Sequence, residues 1–199
     1  MRGAMRRTHS IETPRMNRSL FSFVLLAAAP FAASAQDALS YDYVEAGYVR
    51  TDIGGDADGY GVAGSVSLDE RFHVFGSYVD SNANEIEGLD VTQWQLGAGF
   101  RHRMSDRMDL VTRFAWSSFD TKYSSDANGI TMEVGVRSLL SKHLEGWALA
   151  GYGDLDHGDG EFYMRAGAHA MFGEHWGVAG DVKFVSGDTQ WFIGPRLRW

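Results

Sequence analysis

The stretch VTQWQLGAGFRHR, residues 91–103, sets Trp94, Leu96, Ala98 and Phe100 on one face and Gln93, Gln95, Gly97, Gly99 and Arg101 on the other. Strict alternation with period two marks a β-strand with one apolar face. The same pattern recurs outward along the chain. Ile130, Met132, Val134 and Val136 oppose Thr131, Glu133, Gly135 and Arg137. Phe162, Met164, Ala166, Ala168 and Phe172 oppose Tyr163, Arg165, Gly167 and His169. Trp176, Val178, Gly180, Val182 and Phe184 oppose Gly177, Ala179, Asp181 and Lys183. The last run sets Trp191, Ile193, Leu197 and Trp199 against Phe192, Gly194, Arg196 and Arg198. Turn chemistry separates the runs, and no stretch after residue 35 carries a capped helical period.

Ten strands are expected, at 41–51, 58–68, 72–81, 90–103, 108–120, 129–140, 146–154, 161–172, 176–186 and 189–199; eight is the alternative count. Tight connectors at 69–71, 105–107, 141–145 and 173–175 alternate with mostly longer ones at 52–57, 82–89, 121–128 and 155–160. Short turns at one end and longer loops at the other fit an antiparallel up-and-down transmembrane β-barrel. Nine of the ten strands carry a glycine near the middle, which lets strands coil tightly or leaves room inside.

Period two alone does not choose between a soluble periplasmic barrel, apolar inside, and a membrane barrel, apolar outside. The apolar face carries Trp94, Phe100, Phe114, Trp116, Phe162, Phe172, Trp176, Phe184, Trp191 and Trp199, while the other face reads as mostly small residues. The bulky set would overfill a narrow barrel, whereas the small set suits it. Aromatics also cluster at strand ends, as expected at two water interfaces. The final strand ends on Trp199, with Leu197, Ile193 and Trp191 at two-residue steps before it. That resembles the signal read by outer-membrane assembly machinery, which usually ends in Phe.

Composition narrows the function classes. Among 199 residues there is no cysteine, so thiol chemistry and disulfides are excluded. Mean hydropathy is −0.25, and no apolar run beyond residue 35 is long enough for a membrane helix. Leu20 to Ala33 form an apolar core preceded by Arg15 and Arg18 and followed by Ala33-Ser34-Ala35, so residues 1–35 read as a signal peptide cleaved before Gln36. Met16 gives a leader of ordinary length and is an alternative start. Residues 36–199 form the barrel domain, with 13 Lys/Arg against 25 Asp/Glu. No basic nucleic-acid footprint is present.

The inner face carries Glu45, Arg101, Arg113, Glu133, Arg137, Arg165, Asp181, Lys183 and Arg196, with Arg198 in the same set. In so narrow a lumen these charges are expected to pair into a network that fills it. If a pore exists instead, their basic excess predicts anion preference. Fourteen acids, from Asp52 to Asp188, lie in or beside the longer connectors and should attract divalent cations that bridge lipopolysaccharide phosphates. The run Asp154 to Glu161 lacks full calcium-loop spacing. No metal site, cofactor or catalytic residue is expected, and the chain does not read as an enzyme. GxSxG is absent, and His157 is the only histidine set beside rim acids for a lipid- or peptide-processing site. The expected partners are outer-membrane lipid, lipopolysaccharide and the assembly machinery, with the protein a monomer.

Five stretches carry a family resemblance: LSYDYVEAGYVRTD (39–52), GDADGYGVAGS (55–65), FHVFGSYVD (72–80), LEGWALAGYGD (144–154) and WGVAGDVKFVSGDTQWFIGPRLRW (176–199). The chain resembles a family of small outer-membrane barrel proteins of xanthomonads and their relatives. That family is labelled activator of a rice immune receptor and quorum-sensing factor. The resemblance implies a barrel exported to the outer membrane and its vesicles, with a structural, surface-contact, signalling or virulence role. Signalling claims in the family centre on the segment that here holds Tyr41, Tyr43 and Tyr48. The alternation places this segment in the first strand, out of reach in a folded barrel.

Overall fold

The computed structural model describes residues 39–52, 56–83, 90–121, 127–156 and 160–199. The expected signal peptide and His157 lie outside them. Ten strands follow in order: β1 (Tyr43–Asp52), β2 (Asp56–Ser67), β3 (Phe72–Ala83), β4 (Asp90–Ser105), β5 (Met108–Thr121), β6 (Ala127–Ser141), β7 (Leu144–Leu155), β8 (Glu161–Met171), β9 (Trp176–Val185) and β10 (Asp188–Arg198). Each pairs antiparallel with its sequence neighbours, and β10 returns to β1 to close the barrel. The eight-strand alternative is therefore replaced by ten. Closure leaves no sheet edge unpaired, which matters most where no water is available to satisfy backbone groups.

At the turn end the connections are short. Between β2 and β3 the Asp69 carboxylate accepts the backbone N–H groups of Arg71 and Phe72 at 2.6 and 2.7 Å. These two bonds stabilise the anion and hold its pKa below the usual carboxylate value. At the loop end β9 and β10 are joined by Ser186 and Gly187 alone, with φ of 48° and 98°. Positive φ at both central residues is the turn whose twist matches a β-hairpin. In the β1–β10 seam Pro195 has no N–H to give β1, and the ladder skips from Glu45–Arg196 to Tyr48–Ile193.

The large apolar side chains point away from the axis. Leu96, Phe114, Ile130, Met132, Val134 and Met164 are all exposed on the outer wall, Met164 to 67%. A continuous apolar exterior of this kind is compatible with hydrocarbon and not with water. The soluble reading, with the apolar face turned inward, is thereby overturned. Aromatic pairs flank this wall. Phe72 meets Phe100 at 5.3 Å near the turns, and Tyr152 meets Phe162 at 5.0 Å near the loops. Tyr48 lies between Tyr60 and Trp191. A strand of about ten residues, tilted about 40°, rises roughly 25 Å, the height of the apolar band.

Most strand ends shift by one or two residues from those expected, and two of the shifts change what lies in the lumen. The seventh strand begins at Leu144, which brings Glu145 out of the expected turn and into the wall. The first begins at Tyr43, so Tyr41 lies outside it. Tyr41 shares the parity of Tyr43 but has no ladder partner, because β2 and β10 both stop pairing at Tyr43. The chain from Leu39 to Asp42 instead folds into the turn-end mouth, where Leu39 and Tyr41 are buried against Val111.

Candidate functional site

The inner wall is also less uniformly small than its sequence suggests. Phe75, Trp147, Tyr163 and Phe192 share the register positions that face the axis. Glycines on the adjoining strands receive several of these rings. A Cβ at Gly151 would come within 2.2 Å of the Tyr163 ring, and one at Gly167 within 2.4 Å of Trp147. The buried His73 and His169 lie in the same way against Gly99 and Gly177. Inward glycines are thus the seats of large inward rings on the neighbouring strand.

The structure turns all nine charges singled out above toward the lumen and divides them into layers. Nearest the turns, Arg137 Nε donates to Glu145 Oε1 at 2.5 Å and its Nη2 donates to the Ser40 carbonyl at 2.7 Å. The Arg137 guanidinium also lies 4.3 Å from the Tyr41 ring centre. Arg101 reaches the carbonyls of Glu70 and Leu39 and covers the same ring at 4.7 Å. Tyr41 donates its hydroxyl to Asp109 at 3.2 Å. Burial pushes the Tyr41 phenol well above its ordinary pKa, so it is a hydroxyl donor at any physiological pH.

One layer further in, Arg196 Nε donates to Glu45 Oε2 at 2.7 Å, and its Nη2 lies 2.7 Å from the same oxygen in an ion pair. Its guanidinium is sandwiched between the rings of Tyr43, at 4.2 Å, and Trp147, at 5.0 Å. Arg165 bonds Asp181 at 2.7 Å and lies 3.8 Å from Glu133, whose other oxygen faces Arg113 at 3.9 Å. The Trp147 indole donates to Asp181 at 2.6 Å, and Tyr163 donates to Glu133 at 3.2 Å. Buried charges require such partners, since an unpaired one would cost several kcal/mol. Asp109 and Glu145 were not among the expected lumen charges. Their presence reduces the basic excess on which anion preference rested.

The gap left among Tyr43, Arg113, Arg137, Trp147 and Arg196 is about 20 Å³. That is room for about one water. Above this floor the lumen widens into a cavity of about 470 Å³, walled by Phe119, Leu155, Val185 and polar side chains. A smaller space of about 110 Å³ adjoins it and shares Gln93, Tyr163, Lys183 and Gln190. The neutral polar groups here bond one another: Gln95 donates to Ser117 and Thr131, and Gln190 to Thr51 and Gln93. Lys183 sits apart from the ion pairs, with its ammonium 4.0 Å from the Tyr163 ring centre.

Of the final-strand residues, Ile193 is exposed on the outer wall, while Trp191, Leu197 and Trp199 are half-buried. Trp191 packs on Tyr48. Among the described residues, no group of acids and histidines is placed to hold a metal ion. His157 and two residues of the acidic run beside it, Gly158 and Asp159, fall outside the described residues.

No family model matches the chain, and no curated protein does. Solved structures with a similar course include a KdgM porin, 10% identical over 78% of this chain and 99% of that one, TM-score 0.47. The translocator domain of the autotransporter NalP from Neisseria meningitidis is 12% identical, covering 82% of this chain and 91% of that one, TM-score 0.45. Ail, the attachment invasion locus protein of Yersinia pestis, is 11% identical, covering 81% and 100%, TM-score 0.38. Likeness at this level carries no functional inference, so function rests on the chain's own geometry.

Proposed function

We propose that this chain is a monomeric outer-membrane barrel of a Gram-negative bacterium with a closed resting lumen. It serves at the cell surface or in shed vesicles as a structural or contact protein and does not conduct. One observation carries the reading: the ion-paired floor built on Arg137, Glu145, Arg196 and Glu45, stoppered at the turn end by Tyr41. Its remaining gap, about 20 Å³, is too small for a hydrated ion to pass. The exterior apolar wall and its aromatic borders support residence in a bilayer.

In this reading the outer wall meets lipid, the acidic loop-end rim meets lipopolysaccharide through divalent cations, and Trp191, Ile193, Leu197 and Trp199 serve assembly. No catalysis is proposed. A signalling role of the kind implied by the family resemblance would need exterior residues. Tyr41 and Tyr43 are enclosed, and Tyr48 packs within the aromatic border. The test is a planar-bilayer recording on the refolded mature chain, paired with a gel comparing boiled and unboiled samples. A folded, heat-modifiable band with no steady conductance is expected; a folded barrel with stable open channels would overturn the proposal.

A further inference from the structure

We propose that the upper chamber binds a dipeptide-sized zwitterion with apolar side chains. Its carboxylate would rest on Lys183, and its ammonium would face Asp188 and Glu161. The inference goes beyond the closed-barrel reading, because it assigns a ligand to the space above the floor.

Lys183 supplies the first anchor. An ammonium has three N–H donors, and a ring face is the only direct contact the described residues give this one, with Glu133, Asp181 and Glu161 acting on it from a distance. The carboxylates below it are already engaged. Asp181 receives Arg165 on one oxygen and Trp147 on the other. Glu133 receives Tyr163 and faces Arg113 and Arg165. Lys183 is therefore a cation with unused donors at the base of a cavity of about 470 Å³.

The second anchor lies higher on the same wall. Glu161 and Asp188 both line the cavity near the loop end. Glu161 accepts one hydrogen bond, from Ser186, and neither acid is ion-paired among the described residues. A simple anion entering here would pass these acids at a cost, and a simple cation would meet Lys183. A molecule with both charges, oriented negative end down, satisfies both sets.

The spacing fixes its size. Lys183 stands opposite Gln190 in the β9–β10 ladder, and Asp188 is two residues further along. Two strand residues advance about 7 Å. An extended dipeptide spans about the same distance between its ends. A free amino acid, with both charges on one carbon, is too short. Between the anchors, Phe119, Leu155 and Val185 offer an apolar wall for the side chains.

The test is calorimetric titration of the folded mature chain in detergent. The probes are leucyl-phenylalanine, its N-acetyl form and its C-terminal amide. Saturable binding of the free dipeptide is expected, with each blocked form weaker by about tenfold or more, the scale of one charge-assisted hydrogen bond. Lys183→Met should lose about the same factor toward the free dipeptide and the acetyl form, yet little toward the amide. Heat modifiability of the variant certifies its fold. Equal affinity for all three probes, no saturable binding of any, or an unaffected Lys183→Met barrel would each overturn the proposal. Conductance tests the closed floor separately, so the two failures are distinguishable.

Discussion

Arg137 and Glu145 meet inside the barrel at 2.5 Å, with side-chain exposures of 4% and 1%. They come from strands joined by a single tight turn, so their pairing is set as soon as that hairpin forms. Removing one member would leave a buried charge without its counter-ion. Glu145→Ala should therefore cost about 3–5 kcal/mol. Glu145→Gln, which keeps volume and one acceptor, should cost less. Urea midpoints of the refolded barrels in lipid check both.

Trp147 and Gly167 are interlocked across the β7–β8 ladder. A methyl group at position 167 would meet the indole at 2.4 Å and the Gly180 carbonyl at 2.6 Å. Gly167→Ala should push the indole off Asp181 and destabilise the barrel by about 1–3 kcal/mol. Tryptophan emission and near-UV dichroism should report the displaced ring; an unchanged spectrum would contradict the interlock.

Val134 projects from the middle of β6 and is 49% exposed. Against hydrocarbon, Val134→Arg should cost about 2–4 kcal/mol, whereas Leu140→Arg, near the turn end, should cost about 0–1 kcal/mol. Equal penalties at the two depths would argue against a bilayer around this wall. Stability measured in vesicles decides the matter.

Gly187 holds a φ of 98°, which a side chain tolerates poorly. Gly187→Ala should destabilise the barrel by about 1–2 kcal/mol, although no atom lies within 4 Å of the added methyl group. Ser186 holds the left-handed value of 48° without the freedom of glycine. Ser186→Asn should be neutral or stabilising, because asparagine is favoured at this turn position. Refolding midpoints separate these backbone effects from packing.

The alternation of Trp94, Leu96 and Phe100 with Gln93 and Gln95 made the wall legible from the sequence, because period two is local information. The same locality placed Arg165, Asp181 and Arg196 on the inner face. Glu145 escaped, since Ser141 to Glu145 has turn-like composition and only cross-strand register shows that the turn is confined to Lys142 and His143. Phe75 and Trp147 escaped as inward rings for a similar reason. Each needs a glycine on the next strand, and that partnership exists only once the strands are paired. Tyr41 was unreadable because parity continues past Tyr43 while the ladder does not.

Ser40 Oγ donates to the Trp199 carbonyl at 2.9 Å, and the Trp199 N–H donates to Asp42 at 3.1 Å. The backbone at Ser40 and Asp42 is thereby clasped to Trp199, so that residues 40–199 form nearly a continuous hoop. A few linking residues between positions 199 and 40 would complete the circle. Cutting the hoop at the Ser186–Gly187 hairpin would then deliver both new ends to the opposite face of the bilayer. Circular permutation of residues 40–199 in this way moves the chain's open point from the turn end of the barrel to the loop end.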